Sequence, residues 1–192
     1  MSLDLSAAGI DVGNRLAILN MTYKKIYKLT DSIYIAVINE YKDEDDIILI
    51  NILTSDVLEK REHCLKNSAE EANELNYYSD IKIINGLVAT TPNSLANIPF
   101  RLYNDFGDLI KSIEIKSVED IVWLNLVDNK LIILIIGIIG YYNLWCIIYN
   151  NNTHQIEEYY DKVMYFWQPH SSIISIVLGD KYRTQNDYEV DN

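Results

Sequence analysis

The sequence of 192 residues predicts an all-β fold of stacked antiparallel sheets with one charged helical insertion, and three observations carry that class. Short runs with period-two alternation or β-branched residues recur along the chain, bounded by Asp, Asn, Gly or Ser. That is the pattern of strands whose successive side chains face opposite ways. One segment, residues 55–78, interrupts the runs with charge. Between Lys130 and Glu157 there is no formal charge, and the centre of that stretch, LIILIIGIIGYYNLWCIIY at 131–149, is broken by Gly137, Gly140 and Asn143.

In chain order, Ser32 to Ile38 and Ile47 to Leu53 read as strands of one sheet. The acidic run between them, Asp43, Glu44, Asp45 and Asp46, lacks the glycine and terminal Glu of a calcium loop. It is expected to form a solvated hairpin turn between Tyr41 and Ile47. Residues 55–78, SDVLEKREHCLKNSAEEANELNYY, are poor in β-branched residues and place Ser68 and Glu71 at capping-box spacing, which predicts a helical or disordered excursion. Leu65, Ala69, Ala72 and Leu75 supply its thin apolar stripe, and Glu70, Glu71 and Glu74 its solvated face. Strands are then expected at Ile81 to Val88, Ile98 to Tyr103, Leu109 to Ile115 and Ile121 to Val127, through the apolar run, and at Ile173 to Leu178.

Composition bounds the function. A chain of this length buries a sizeable core and is expected to form one β domain, 1–192, with the insertion at 55–78. The net charge of −12 and pI near 4.6 argue against a phosphate-binding surface, because nucleic-acid affinity comes chiefly from Lys and Arg. No direct nucleic-acid partner is expected. Cys64 and Cys146 lie far apart in unlike contexts, which predicts free thiols in a reducing compartment, cytoplasm or nucleus. The first residues, MSLDLSAAGIDVGN, have neither a basic leader nor a continuous apolar core, so no secretory signal is expected there.

The apolar run admits two structures. Its length suits a single membrane span at 131–149, but the central glycines and Asn143 weaken a helix and favour a reversal. An internal echo argues for strands: Ile132 to Gly137, IILIIG, returns as Ile174 to Gly179, ISIVLG, roughly 42 residues on, within the ~40–45-residue period of repeated β-blades. The preceding strands also match, Ile121 to Val127 with Val163 to Pro169. Buried on both faces of its sheet, the run needs no lipid.

Over Ile121 to Tyr182 this pattern resembles divergent WD40-like β-propeller repeats. Leu131 to Ile136 stand as a second strand, Tyr142 to Tyr149 as a third and Gln155 to Tyr160 as the outer one, with Asp161, Lys162 and Val163 opening the next unit. Trp145-Cys146 lies where the family has Trp-Asp, and the family's Gly-His pair is absent. Ile33 to Val37 with Ile47 to Leu53, and Ile81 to Val88 with Ile98 to Ile115, would be two further blades. The resemblance implies a non-enzymatic protein–protein interaction module or scaffold subunit, in a small or partial propeller whose open sheet edges a partner completes.

Candidate chemistry is sparse. GIDVG at Gly9 to Gly13 lacks the rest of a phosphate loop, and His63-Cys64 has no second metal-ligand pair nearby in sequence. His154 and His170 are expected in exposed turns. No catalytic residue, metal or cofactor is expected. The aromatic pairs supply the binding candidates, since in a blade the loops after the second and fourth strands share one rim. There Tyr141, Tyr142, Tyr159, Tyr160 and Asp161 would form a partner-binding patch; the competing expectation packs alternate members into the core. Two other functions stand beside the scaffold: a single-pass membrane protein, and a small α+β binder such as a toxin-neutralising protein.

Overall fold

Three four-stranded antiparallel sheets make up the computed structural model, which describes residues 22–68, 77–92, 97–139 and 141–164. The first sheet runs β1 (Lys25–Lys28), β2 (Ile33–Glu40), β3 (Glu44–Asn51) and β4 (Asp56–Leu65). The second has β5 (Ile81–Ile84), β6 (Leu87–Thr90), β7 (Phe100–Tyr103) and β8 (Leu109–Ile113). The third has β9 (Val118–Leu126), β10 (Lys130–Ile139), β11 (Tyr141–Asn150) and β12 (Gln155–Met164). In each sheet the spatial order follows the chain, so all three are simple up-and-down meanders. The described residues fall into two compact units, divided at Thr90/Thr91, Phe100/Arg101 and Lys111/Ser112.

Continuous Ile, Leu and Val mark the central strands because both of their faces are covered. In the first unit Ile33, Ile35, Val37, Ile47 and Leu49 turn one way and pack with Cys64, Tyr78, Ile81, Val88 and Tyr103. Tyr34, Ala36, Ile48 and Ile50 turn the other way, into a separate apolar cluster with Ile52. Burying each such Ile or Leu contributes about 1.5–3 kcal/mol relative to exposure. Double burial explains why no alternation shows in these strands.

The apolar run of the other unit follows the same rule. Leu131 to Ile136 and Leu144 to Tyr149 are all buried, and β10 pairs with β11 from Lys130↔Asn150 to Ile139↔Tyr141. The run is therefore two strands, as the central glycines predicted, and the membrane-span reading of 131–149 is overturned. No described helix is long and apolar enough to cross a membrane. Gly140, which joins the two strands, lies outside the described residues.

Four other expectations are corrected. Helix was expected from Ser55, yet Asp56–Leu65 is strand β4, with Glu59, Arg61 and Cys64 buried and Lys60, Glu62, His63 and Leu65 exposed. Period-two alternation is present, but its inward members are charged, and charge was read as solvent exposure. The rest of the proposed stripe, Ala69, Ala72 and Leu75, lies outside the described residues, as do Glu70, Glu71 and Glu74. The acidic turn is narrower than expected, because β3 already includes Glu44, and Asp45 and Asp46 are buried as hydrogen-bond acceptors. Ile81 to Val88 is not one strand but a hairpin turning at Asn85 (φ 47°) and Gly86 (φ 85°), the left-handed pair that a two-residue turn requires. Finally, Asp161 to Met164 continue β12 rather than opening a new unit. The expected strand Ile173 to Leu178, the segment from Tyr165 to Pro169 and His170 lie outside the described residues.

Candidate functional site

Strand β4 presents a charged face to the second sheet, and every charge on it is partnered. Glu59, whose side chain is 1% exposed, accepts hydrogen bonds from Arg61 Nε at 2.7 Å, Tyr103 OH at 2.8 Å and Thr90 Oγ1 at 2.9 Å. The Arg101 guanidinium lies 3.5 Å from the same carboxylate. Arg61 reaches on through Nη1 to Asp80 Oδ2 at 2.9 Å. Burial disfavours the Arg61 cation, but Glu59 and Asp80 outweigh it and hold its pKa above the ordinary value. Burial pushes the Tyr103 hydroxyl up, with Glu59 adding to it, so the phenol stays a donor. One step along β4, burial and then Asp80 push the Cys64 thiol far above its usual range. Such a thiol is a small core group, since the reactive form is the thiolate.

A second polar knot lies at the opposite end of the strand. Asp45 accepts from Tyr78 OH at 2.8 Å and pairs with Lys66 Nζ at 3.0 Å. Asp46 accepts from Asn39 Nδ2 at 2.8 Å, His63 N at 3.0 Å and Tyr41 OH at 3.3 Å. His63 sits at φ 57° beside a register shift, so it turns outward while Cys64 turns inward. Its Nδ1 lies 3.0 Å from Glu44 Oε1, and its ring stacks on Tyr41 at 6.0 Å. Its hydrogen bond to Glu44 raises the His63 pKa. The adjacent His63 and Cys64 therefore do not converge on a ligand. Among the described residues no group of three His, Cys, Asp or Glu side chains could hold a metal ion.

At one end of the first unit three turns are tied together, two of them by the side chain of buried Asn51. Its Oδ1 accepts from Leu53 N at 3.0 Å and Thr54 N at 3.4 Å, closing the β3–β4 turn. Its Nδ2 donates to Phe106 O at 2.7 Å in the β7–β8 turn. Gly107 (φ 85°) is required beneath it, because a Cβ there would lie 2.4 Å from Asn51 Nδ2. The β1–β2 turn joins through Ile52 N to Ser32 O at 2.7 Å and Thr30 Oγ1 to Asp105 O at 3.5 Å. Asn104 Oδ1 accepts from Phe106 N and Asp108 N, which shapes the β7–β8 turn itself. The tips that this frame holds outward are apolar: Leu53, Phe106 and Leu109 are each about half exposed.

The predicted tyrosine patch takes a different form. Tyr141 and Tyr142 open β11, opposite Ile139 and Ile138. Tyr159 and Tyr160 lie within β12, opposite Ile147 and Cys146, and Asp161 follows them, exposed. None of the five sits in a loop, and the two pairs are separated along the sheet by roughly 13 Å, four residues of strand rise. Tyr160 packs on the cluster of Leu126, Ile132 and Leu134 and donates to Glu158 Oε2 at 2.5 Å. Tyr159 is partly buried, and burial followed by Asp161 pushes its pKa up to about 12. The Trp-Cys pair is core: Trp145 covers Gly137, where a Cβ would lie 2.6 Å from the indole. Cys146 packs on the opposite face with Leu134 and Leu144.

Sequence reasoning missed both the charged face of β4 and the three-turn frame. The first had a signal in the period of Glu59 and Arg61, and in the frame the Asn-Asp-Phe-Gly-Asp stretch at 104–108 has the composition of a turn. Its convergence with the β1–β2 and β3–β4 turns had no signal.

No family model matches the chain, and no curated protein matches it. Among solved structures it is similar to the β-propeller domain of the Trilobed protease from Pyrococcus furiosus, at 13% identity and a TM-score of 0.31. The match covers 77% of this chain and 43% of that one, so it spans less than half the length of the protein it resembles.

Proposed function

We propose that the chain is a non-enzymatic protein–protein interaction module, a scaffold subunit whose three meanders are the blades of one propeller-like β domain. The observation that carries this reading is the repetition of consecutive four-stranded meanders whose central strands are buried on both faces. A meander buried on both faces needs a neighbour on each, and stacked blades meet that need. The chemistry of the buried groups supports a scaffold over a catalyst: the carboxylates of Glu59, Asp45 and Asp46 are saturated with donors, and the two cysteines are free and buried. Buried free thiols suit a reducing compartment such as cytoplasm or nucleus.

Partner binding is proposed for Tyr141, Tyr142, Tyr159, Tyr160 and Asp161 on the third sheet, as strand residues rather than as a loop rim. Among the described residues β12 is an edge strand of its sheet, and edges are where another chain pairs. The test is affinity capture from the native source with quantitative mass spectrometry. A partner recovered in stoichiometric amount, and lost with Tyr141→Ala plus Tyr159→Ala while the far-UV circular dichroism is unchanged, is the expected result. Recovery of no stoichiometric partner would sink the module, and unchanged recovery with the double variant would remove the tyrosines from it.

A further inference from the structure

We infer that the rim built from the β1–β2, β3–β4 and β7–β8 turns receives a basic peptide segment bearing an aliphatic or aromatic anchor, an assignment that rests on the interaction-module proposal and names the partner's chemistry. Two independent properties of the rim converge on that occupant. The first is apolar exposure on a rigid frame. Leu53 and Phe106 are each 50% exposed and Leu109 51%, and a single carboxamide, that of Asn51, binds the amide of Leu53 and the carbonyl of Phe106. The two tips are thereby held side by side before any partner arrives. A surface already ordered loses little freedom on association, which is how a small apolar cluster becomes an anchor site.

The second property is the sign of the charge around the cluster. The three turns, residues 29–32, 52–56 and 104–109, contain Asp31, Asp56, Asp105 and Asp108 and no Lys or Arg. Lys28, at the end of β1, is engaged by Asp31 at 2.6 Å. An apolar patch ringed by aspartates suits a segment with Leu, Phe or Trp flanked by Lys or Arg, because opposite charge steers encounter and like charge penalises wrong partners. Anionic headgroups and nucleic-acid backbones meet the same aspartates and are repelled, so a peptide is the fitting class. Nothing in this requires the tyrosines of the third sheet.

The experiment selects peptides from a displayed random library against the intact chain, then titrates the enriched peptides by fluorescence polarisation. The expected result is enrichment of Lys- or Arg-flanked Leu, Phe or Trp. Binding should weaken about ten-fold for Leu53→Ser with Phe106→Ser and by a similar factor for Asp56→Asn with Asp105→Asn, with a further loss as salt is raised. Leu53, Asp56 and Phe106 are exposed and Asp105 is half-buried, and an unchanged thermal transition confirms that both variants fold. Enrichment of acidic or uncharged sequences, affinities unmoved by either variant, or no enrichment would each overturn the assignment. The module proposal fails separately: a native partner that binds the Leu53→Ser, Phe106→Ser chain as well as the parent removes the rim alone, whereas absence of any stoichiometric native partner removes the module.

Discussion

Glu59 shows at the scale of one residue why burial and charge coexist here. Its carboxylate is out of water but meets two guanidinium groups and two hydroxyls. Replacing it with Ala leaves Arg61, itself 0% exposed, a buried cation short of one partner. Removing one member of a buried pair costs about 3–5 kcal/mol. Glu59→Ala should therefore lower the unfolding free energy by that order in urea titration, and a loss within about 0.5 kcal/mol, the range of surface substitutions, would contradict the network. His63 supplies the opposite case, an exposed group with a partner. Its pKa is raised by Glu44, so any contribution of the pair to stability is present in full below the unfolded value near 6.5 and is lost as pH rises through the folded value. Titration by NMR should place the His63 midpoint above 6.5, and Glu44→Gln should bring it down. A midpoint unmoved by that substitution would remove Glu44 as the cause.

Among elements, legibility in the sequence followed which side chains each strand turns inward. β2, β3, β10 and β11 were readable because two covered faces write unbroken Ile and Leu, and the hairpin within 131–149 was readable from Gly137, Gly140 and Asn143. β4 was not, because its inward residues are Glu59 and Arg61, tolerated only by groups that the fold brings from Asp80, Thr90, Arg101 and Tyr103. The site was less legible than the fold for the same reason: Asn51, Gly107 and Thr30 acquire meaning only when three turns separated in sequence meet. The tyrosines were expected at or near loops and strand starts on one rim, whereas β11 and β12 run through them. A double-mutant cycle tests the unity of β4's charged face. Because Glu59 and Arg61 share a bond and further partners, Glu59→Ala and Arg61→Ala together should cost less than the sum of the singles by about 0.5–3 kcal/mol. Additive losses would mean that the two residues act separately.

The whole chain sets its own electrostatic limits, because a net charge of −12 favours solubility and at the same time strains the folded state through self-repulsion. Acidification relieves the repulsion but also attacks buried carboxylates. Asp46 shows the balance: burial alone would raise its pKa, but hydrogen bonds from Asn39, the His63 backbone and Tyr41 prevail and leave it lowered. Exposed Glu157 is lowered as well, by its hydrogen bonds from Asn150 and Lys130. A carboxylate with a depressed folded pKa contributes stability that is present above its unfolded value, near 4, and is lost as pH falls through the folded value. Stability should thus hold from neutral pH to about 5 and decline below 4. Solubility should reach its minimum in between, near the pI of about 4.6. Raising salt at neutral pH should increase the melting temperature, since it screens repulsion among surface charges more than it weakens pairs as buried as Glu59 with Arg61. Light scattering and thermal unfolding across pH and salt measure all three. A melting temperature that falls with added salt at pH 7 would mean that surface ion pairs such as Lys130 with Glu157, rather than net repulsion, dominate the electrostatics of the fold.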